Sequence, residues 1–320
     1  MSATRTCNNP NFPENLDIHP SIPSQGIFSN PIDKTSFGSL AQGLAILQYG
    51  IAGRVWEAAY AMNLYVDPPH NITFDPPFFD VSRSAEPVTV IELGSGSGLV
   101  ASTIARLLKA GRDNLIVTDL PEVCPLLEAN LRKIDTCAEI PLITVKYLSW
   151  GNYEDTTSLA SLFSDLQGHT PCFNPLTHIV CSDLVYFPEL LGPLLRSLLQ
   201  LSSPPFAQSS DCQNLSIFIS YKVRSLTKET GFWSAFGLWF EFRPVLIKDG
   251  TRDGEWGLFG TDLDDTTFLF VAHRRPGSYK WKIPPLDDDL LGGVGAYDSP
   301  TRKGDDTFEN LLFLSLGEDW

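Results

Sequence analysis

Metal-binding spacing is missing from this 320-residue chain. The six cysteines (Cys7, Cys124, Cys137, Cys172, Cys181 and Cys212) never form a Cys-x-x-Cys pair, and the five histidines do not fall at ligand spacing with them. Scattered thiols of this kind suit buried positions in a reducing compartment and exclude a disulfide framework or a zinc site. The cytosol is the expected location, with the nucleus as a second one. Basic runs are also lacking. Lys and Arg number 23 against 38 Asp and Glu, a net charge of −15. That is the wrong sign for nucleic acid, which calls for a basic patch, and it suits a basic protein partner. No apolar run is long enough to span a bilayer, and residues 1–30 are polar and rich in Pro and Asn, unlike a signal peptide. No internal repeat is visible. No Gly-Lys-Ser/Thr follows any glycine turn, which excludes a P-loop.

Apolar residues make up 43% of the chain, enough for one large core with appended segments. Residues 1–36, with Pro10, Pro13, Pro20, Pro23 and Pro31, read as an irregular or disordered arm. Residues 37–87 are expected to cover a site. They would do so with a short hairpin around Gly43 at 39–49, a helix at 54–65 and a proline-rich link at 67–87. The core, 88–275, alternates strands (near 88–93, 114–118, 141–147, 176–182, 213–220, 241–247 and 267–273) with helices (near 98–110, 121–133, 187–201 and 226–239). This alternation predicts an α/β fold, a doubly wound and mostly parallel seven-stranded sheet. The last two strands lack a helix between them, so the last strand should pair antiparallel. Residues 276–320 form an acidic extension; from 286 on it holds nine acids and two bases and reads as solvated and partly disordered. Phe308–Leu316 within it is apolar enough to dock on the core or on a partner.

The chemistry concentrates in Val88-Thr-Val-Ile-Glu-Leu-Gly-Ser-Gly-Ser-Gly-Leu99. A β-branched run suits a central strand. Gly94, Gly96 and Gly98 then let the backbone turn and approach a ligand at a helix N-terminus. A dinucleotide turn wants Gly-x-Gly-x-x-Gly; here the third glycine comes one residue early. Glu92 would repel a pyrophosphate and attract a cation. S-adenosyl-L-methionine (AdoMet), with its sulfonium and ammonium, fits both features better than NAD does. A tight βα turn with no ligand is the alternative.

Asp119 ends the second strand, 25 residues after Gly94, where a carboxylate accepts ribose hydroxyls. With Leu120-Pro121 behind it, it also suits a helix cap. Ser182 closes the strand at 176–182, and Asp183-Leu-Val-Tyr186 follows it towards the same crevice. Asp183 suits an amine and Tyr186 suits a cationic or apolar group, as against a cap and a packing aromatic. Trp150-Gly151 follows the third strand, where a Trp packs beside adenine or simply at the rim. Trp56-Glu57 is an aromatic–acid pair with no assigned role.

Together, Val55-Trp-Glu-Ala-Ala59, Glu92-Leu-Gly-Ser-Gly-Ser-Gly98, Thr118-Asp-Leu-Pro121, Leu148-Ser-Trp-Gly151 and Ser182-Asp-Leu-Val-Tyr186 resemble the methyltransferase-like 21 family. Tyr221-Lys-Val-Arg224 and Glu229-Thr-Gly-Phe-Trp233 fit the same pattern, and the likeness covers about 40–275. The resemblance implies a seven-β-strand, AdoMet-dependent lysine methyltransferase acting on non-histone proteins such as chaperones, elongation factors or AAA ATPases, and a monomer. It further implies that Glu92, Gly94, Gly96 and Trp56 meet the methionine end of the cofactor. Asp119, with Leu120, would hold the ribose, and Trp150 would meet the adenine. Asp183 and Tyr186 would face the target amine. A small-molecule N-methyltransferase and a non-catalytic AdoMet-binding protein are the alternatives.

Overall fold

In the computed structural model, residues 11–13, 16–22, 36–80, 86–132, 142–163, 173–207, 215–251, 255–260 and 267–316 are described. Helices α1 (Ser39–Tyr49) and α2 (Glu57–Val66) and strand β1 (Ile72–Asp75) come first. The core then runs β2 (Thr89–Leu93), α3 (Leu99–Leu107), β3 (Asn114–Asp119), α4 (Cys124–Leu131), β4 (Ile143–Tyr147), α5 (Tyr153–Ala160), β5 (His178–Ser182), α6 (Pro188–Leu201), β6 (Ser216–Lys222) and α7 (Leu226–Trp239). It closes with β7 (Phe240–Pro244), β8 (Leu246–Asp249), β9 (Gly257–Leu258) and β10 (Thr267–Arg274), followed by α8 (Asp287–Leu291) and α9 (Thr307–Leu316).

Seven strands form one sheet in the order β4-β3-β2-β5-β6-β10-β7. The first five run parallel, and β10 lies antiparallel between β6 and β7. Every residue of β2 is buried. Its alternation feeds two cores. Ile91 and Leu93 face Ile179, Leu184 and α6, whereas Val90 faces Val100, Ala101 and Ile104 of α3. The chain winds outward from β2 to β4, then returns to β5 on the other side. The crevice at the carboxyl ends of β2 and β5 is thus the switch point where such sheets receive ligands.

Several expectations change. Residues 39–49 form helix α1, not a hairpin. Gly43 disguised a helical spacing of Leu40, Leu44 and Leu47. The side that packs is marked by a buried polar residue, Gln42, which donates to the carbonyls of Phe37 (2.8 Å) and Ser21 (3.1 Å) and accepts from the Val55 amide (3.1 Å). The expected link at 67–87 contains β1, which joins β8 and β9 in a separate three-stranded sheet. Helix α5 was not expected from its polar sequence; the Asn152 side chain caps it by accepting from the amides of Glu154 (2.9 Å) and Asp155 (3.2 Å).

Parts of the acidic extension between 287 and 312 pack on the core rather than standing in solvent. Asp287 accepts from Arg196 on α6 (2.8 Å), whose guanidinium also donates to the carbonyls of Pro284 (2.9 Å) and Pro285 (3.2 Å). Phe308 is buried and stacks on Trp233, with centroids 5.0 Å apart. Among the described residues, no helix is long and apolar enough to cross a membrane. No group of His, Cys, Asp and Glu among them is placed to hold a metal. Cys181 is buried and Cys124 half-buried; Cys7, Cys137, Cys172 and Cys212 lie outside the described residues, as does most of the arm at 1–36.

Candidate functional site

The β2–α3 turn places three glycines in left-handed backbone, with φ of 53° at Gly94, 54° at Gly96 and 84° at Gly98. Space also demands glycine at the first two. A Cβ on Gly94 would come within 2.8 Å of Leu184 and of Trp150, and one on Gly96 within 3.1 Å of the Ala52 carbonyl. Gly98 differs in aspect, because its missing side chain faces Leu127 and Leu131 under the turn.

Glu92 is almost completely buried below this turn, and burial pushes its carboxyl up to about 8; Asp119 adds to the rise. Its Oε2 has no hydrogen-bond partner. Such an atom is costly to bury alone and suits a cationic or N–H-bearing ligand. Asp119 accepts from the Gly96 amide (2.7 Å, Oδ2) and from the Leu120 amide (2.7 Å, Oδ1), so it ties the end of β3 to the glycine turn. Burial raises its carboxyl to about 6, against those two hydrogen bonds. It does not cap α4, whose N-cap is Val123. Each carboxylate oxygen keeps a second lone pair for a hydroxyl.

At the end of β5 the Ser182 hydroxyl accepts from that of Ser220 (3.2 Å). Asp183 follows with φ 62°, uncommon for a residue other than glycine. This turn buries its side chain to 1% exposure. Both carboxylate oxygens accept from Arg224, at 2.6 Å (Nη1) and 2.5 Å (Nη2). Burial opposes the charge on Arg224, but the hydrogen bonds to Asp183 together with the charges of Asp183, Glu57 and Glu229 outweigh it. The Arg224 guanidinium also lies 3.6 Å from Glu57 and 5.3 Å from the centre of the Trp56 ring. Arg54 covers the Trp56 ring at 4.5 Å and pairs with Glu57. Trp56 itself donates to the Ile51 carbonyl (3.0 Å). Tyr186 packs edge-on to Phe187 at 4.7 Å. Burial, then Asp119 and Asp183, push its phenol above the usual range, so it stays neutral.

One cavity of about 460 Å³ joins these parts. Trp56, Glu92, Gly94, Gly96, Asp119, Leu120, Trp150, Ser182, Asp183 and Tyr186 all line it. Gly98 is the one expected site residue that does not. The wall also holds residues that received no role from sequence: Arg54, Arg224, Lys228 and Glu229, together with Asn11 and Leu16 of the arm. Glu229 accepts from the amides of Ser225 (3.0 Å) and Arg224 (3.3 Å) and from the Tyr221 hydroxyl (2.5 Å), fixing the loop that carries Arg224. The sequence signals for this pair are the motifs Tyr221-Lys-Val-Arg224 and Glu229-Thr-Gly-Phe-Trp233, which gave neither residue a role.

A family model described as lysine methyltransferase matches residues 42–236. Among curated relatives, a methyltransferase-like protein 21E pseudogene of Homo sapiens is 30% identical over 156 residues, 49% of this chain and 48% of its own length. Protein-lysine methyltransferase METTL21E of Mus musculus is 30% identical over 158 residues, covering 49% of this chain and 54% of its own. The chain spans about half the length of the curated relatives it matches. Among solved structures, Aeropyrum pernix fibrillarin with bound S-adenosyl-L-methionine aligns over 59% of this chain and 66% of its own at 14% identity, with a TM-score of 0.36, a likeness too loose to bear on the site.

Proposed function

The chain belongs to the lysine methyltransferase family, and from that premise we propose that it moves a methyl group from AdoMet to a lysine ε-amine of another protein. The resemblance to the methyltransferase-like 21 family extends the proposal to non-histone proteins. The observation that carries it is the single cavity in which the glycine turn, Asp119, Trp150 and the Asp183–Tyr186 turn meet.

AdoMet fits the residues present. The orphaned Glu92 Oε2 is a seat for its ammonium, and the cradle at Gly94 and Gly96 has no room for a Cβ. Glu92 and Trp56 would hold the methionine end, Asp119 the ribose hydroxyls and Trp150 the adenine. When bound, the cofactor supplies a methyl group on a sulfonium, which is already a good leaving group. The protein's task is therefore orientation and exclusion of water. Tyr186 and Phe187 offer aromatic surface to the amine, and the neutral phenol of Tyr186 stabilises developing positive charge through its ring. The net charge of −15 favours encounter with a basic protein surface.

Incubation with labelled AdoMet and a cell lysate tests the proposal. Label is expected in protein, on lysine after hydrolysis, and Tyr186→Ala should cut the transfer at least tenfold. Label confined to the low-mass fraction, or undiminished transfer by the variant, would overturn it.

A further inference from the structure

Lysine is a nucleophile only after losing a proton, yet its side chain has a pKa of about 10.4. Among the described residues, no His lines the cavity. Asp119, Asp183 and Glu189 all act on Tyr186; Asp119 accepts from two backbone amides, and Asp183 is 1% exposed with both oxygens engaged by Arg224. The guanidinium is the more accessible partner, with 28% of the side chain exposed, and it lines the cavity. The amine seat therefore presents a guanidinium backed by a carboxylate, not an open carboxylate.

Other charged groups surround this pair. Arg54 and Glu57 face Arg224 from the start of α2, and Lys228 and Glu229 from α7. Asp183 and the neutral Tyr186 face it from the end of β5, and Lys222 precedes it on β6, where the Lys222 carbonyl accepts from Nη1 (3.3 Å). Three cations (Arg54, Arg224 and Lys228) and four acids (Glu92, Asp119, Asp183 and Glu229) line the cavity, and Glu57 stands beside Arg54 and Arg224.

Resting on the lysine methyltransferase reading, we propose that Arg224 is a positioning residue. By closing Asp183 it cancels that carboxylate's charge at the amine seat, so the target lysine is received as a free amine instead of being trapped as an ammonium. The lysine proton leaves to water. The nitrogen lone pair then forms the N–C bond as the S–C bond of AdoMet breaks, leaving a neutral thioether. An unpaired Asp183 would do the reverse: a lone carboxylate at a few ångströms raises an amine's pKa by about a unit or more.

This charge logic makes a two-sided prediction for the pH profile of label transfer from saturating AdoMet to lysate protein, scanned from about pH 6 to 10. Arg224→Gln leaves the seat anionic and moves the rising limb up by about one unit, and Asp183→Asn leaves it cationic and moves the limb down. The double substitution removes one charge of each sign and brings the midpoint back to within a few tenths, and Arg224→Lys holds it in place. Asn accepts the left-handed backbone at 183 readily, so the downward shift remains measurable even if Arg224→Gln fails to fold. Rates lowered equally at every pH, with midpoints unmoved or moving in the same direction, would overturn the proposal. Transfer absent from the unsubstituted protein would overturn the lysine methyltransferase reading, and this inference with it.

Discussion

Glu92 sits where its ionised form is worst tolerated in the ligand-free protein. Its folded-state pKa of about 8 lies above the unfolded value of 4.5. The folded state thus binds the extra proton, and stability falls as pH rises from about 4.5 to 8. Glu92→Gln should melt higher than the parent at pH 8.5 and equally at pH 4. Calorimetric binding of AdoMet should be at least tenfold weaker in the variant. A constant difference in melting temperature across pH would refute the assignment. Gly94→Ala should cost about 1–3 kcal/mol in urea unfolding, because the alanine must hold φ 53° against Leu184 and Trp150. Glu92, Asp119 and Trp150 could be placed at the cavity from sequence because each lies at or just past the carboxyl end of a core strand. The role of Arg224 was not legible. Its importance lies in the partner it reaches, Asp183, and a pairing across 41 residues leaves no local pattern.

Among the elements, the core strands were legible from their unbroken apolar, β-branched runs, and α6 from its periodicity. Elements held by a few specific polar contacts were not. Helix α1 depends on Gln42, and α5 depends on its Asn152 cap. Helices α8 and α9 sit in a sequence whose acids suggest solvation, but whose anchors, Asp287 on Arg196 and Phe308 on Trp233, are tertiary. Phe308→Ala should therefore cost about 3–5 kcal/mol, as expected for a fully buried phenylalanine. Unfolding by urea measures it; a loss under about 1 kcal/mol would mean that α9 is peripheral to the core.

For the whole molecule, net charge of −15 sets the encounter with a partner more than it sets the fold. If the substrate surface is basic, raising salt from about 50 to 200 mM should lower kcat/KM for protein methylation several-fold and leave AdoMet affinity nearly unchanged. Equal sensitivity of both would locate the effect in the cofactor half of the cavity. The sheet's layout also bears on synthesis. Strand β6 pairs with β10, which lies beyond residues 223–266, and β10 then receives β7 along its other edge. At about 5–20 residues per second on the ribosome, β6 waits roughly 2–9 s for its neighbour after it emerges. Through that interval Ile217-Phe-Ile-Ser-Tyr221 offers a bare, apolar strand edge, the kind of template on which nascent chains stick to one another.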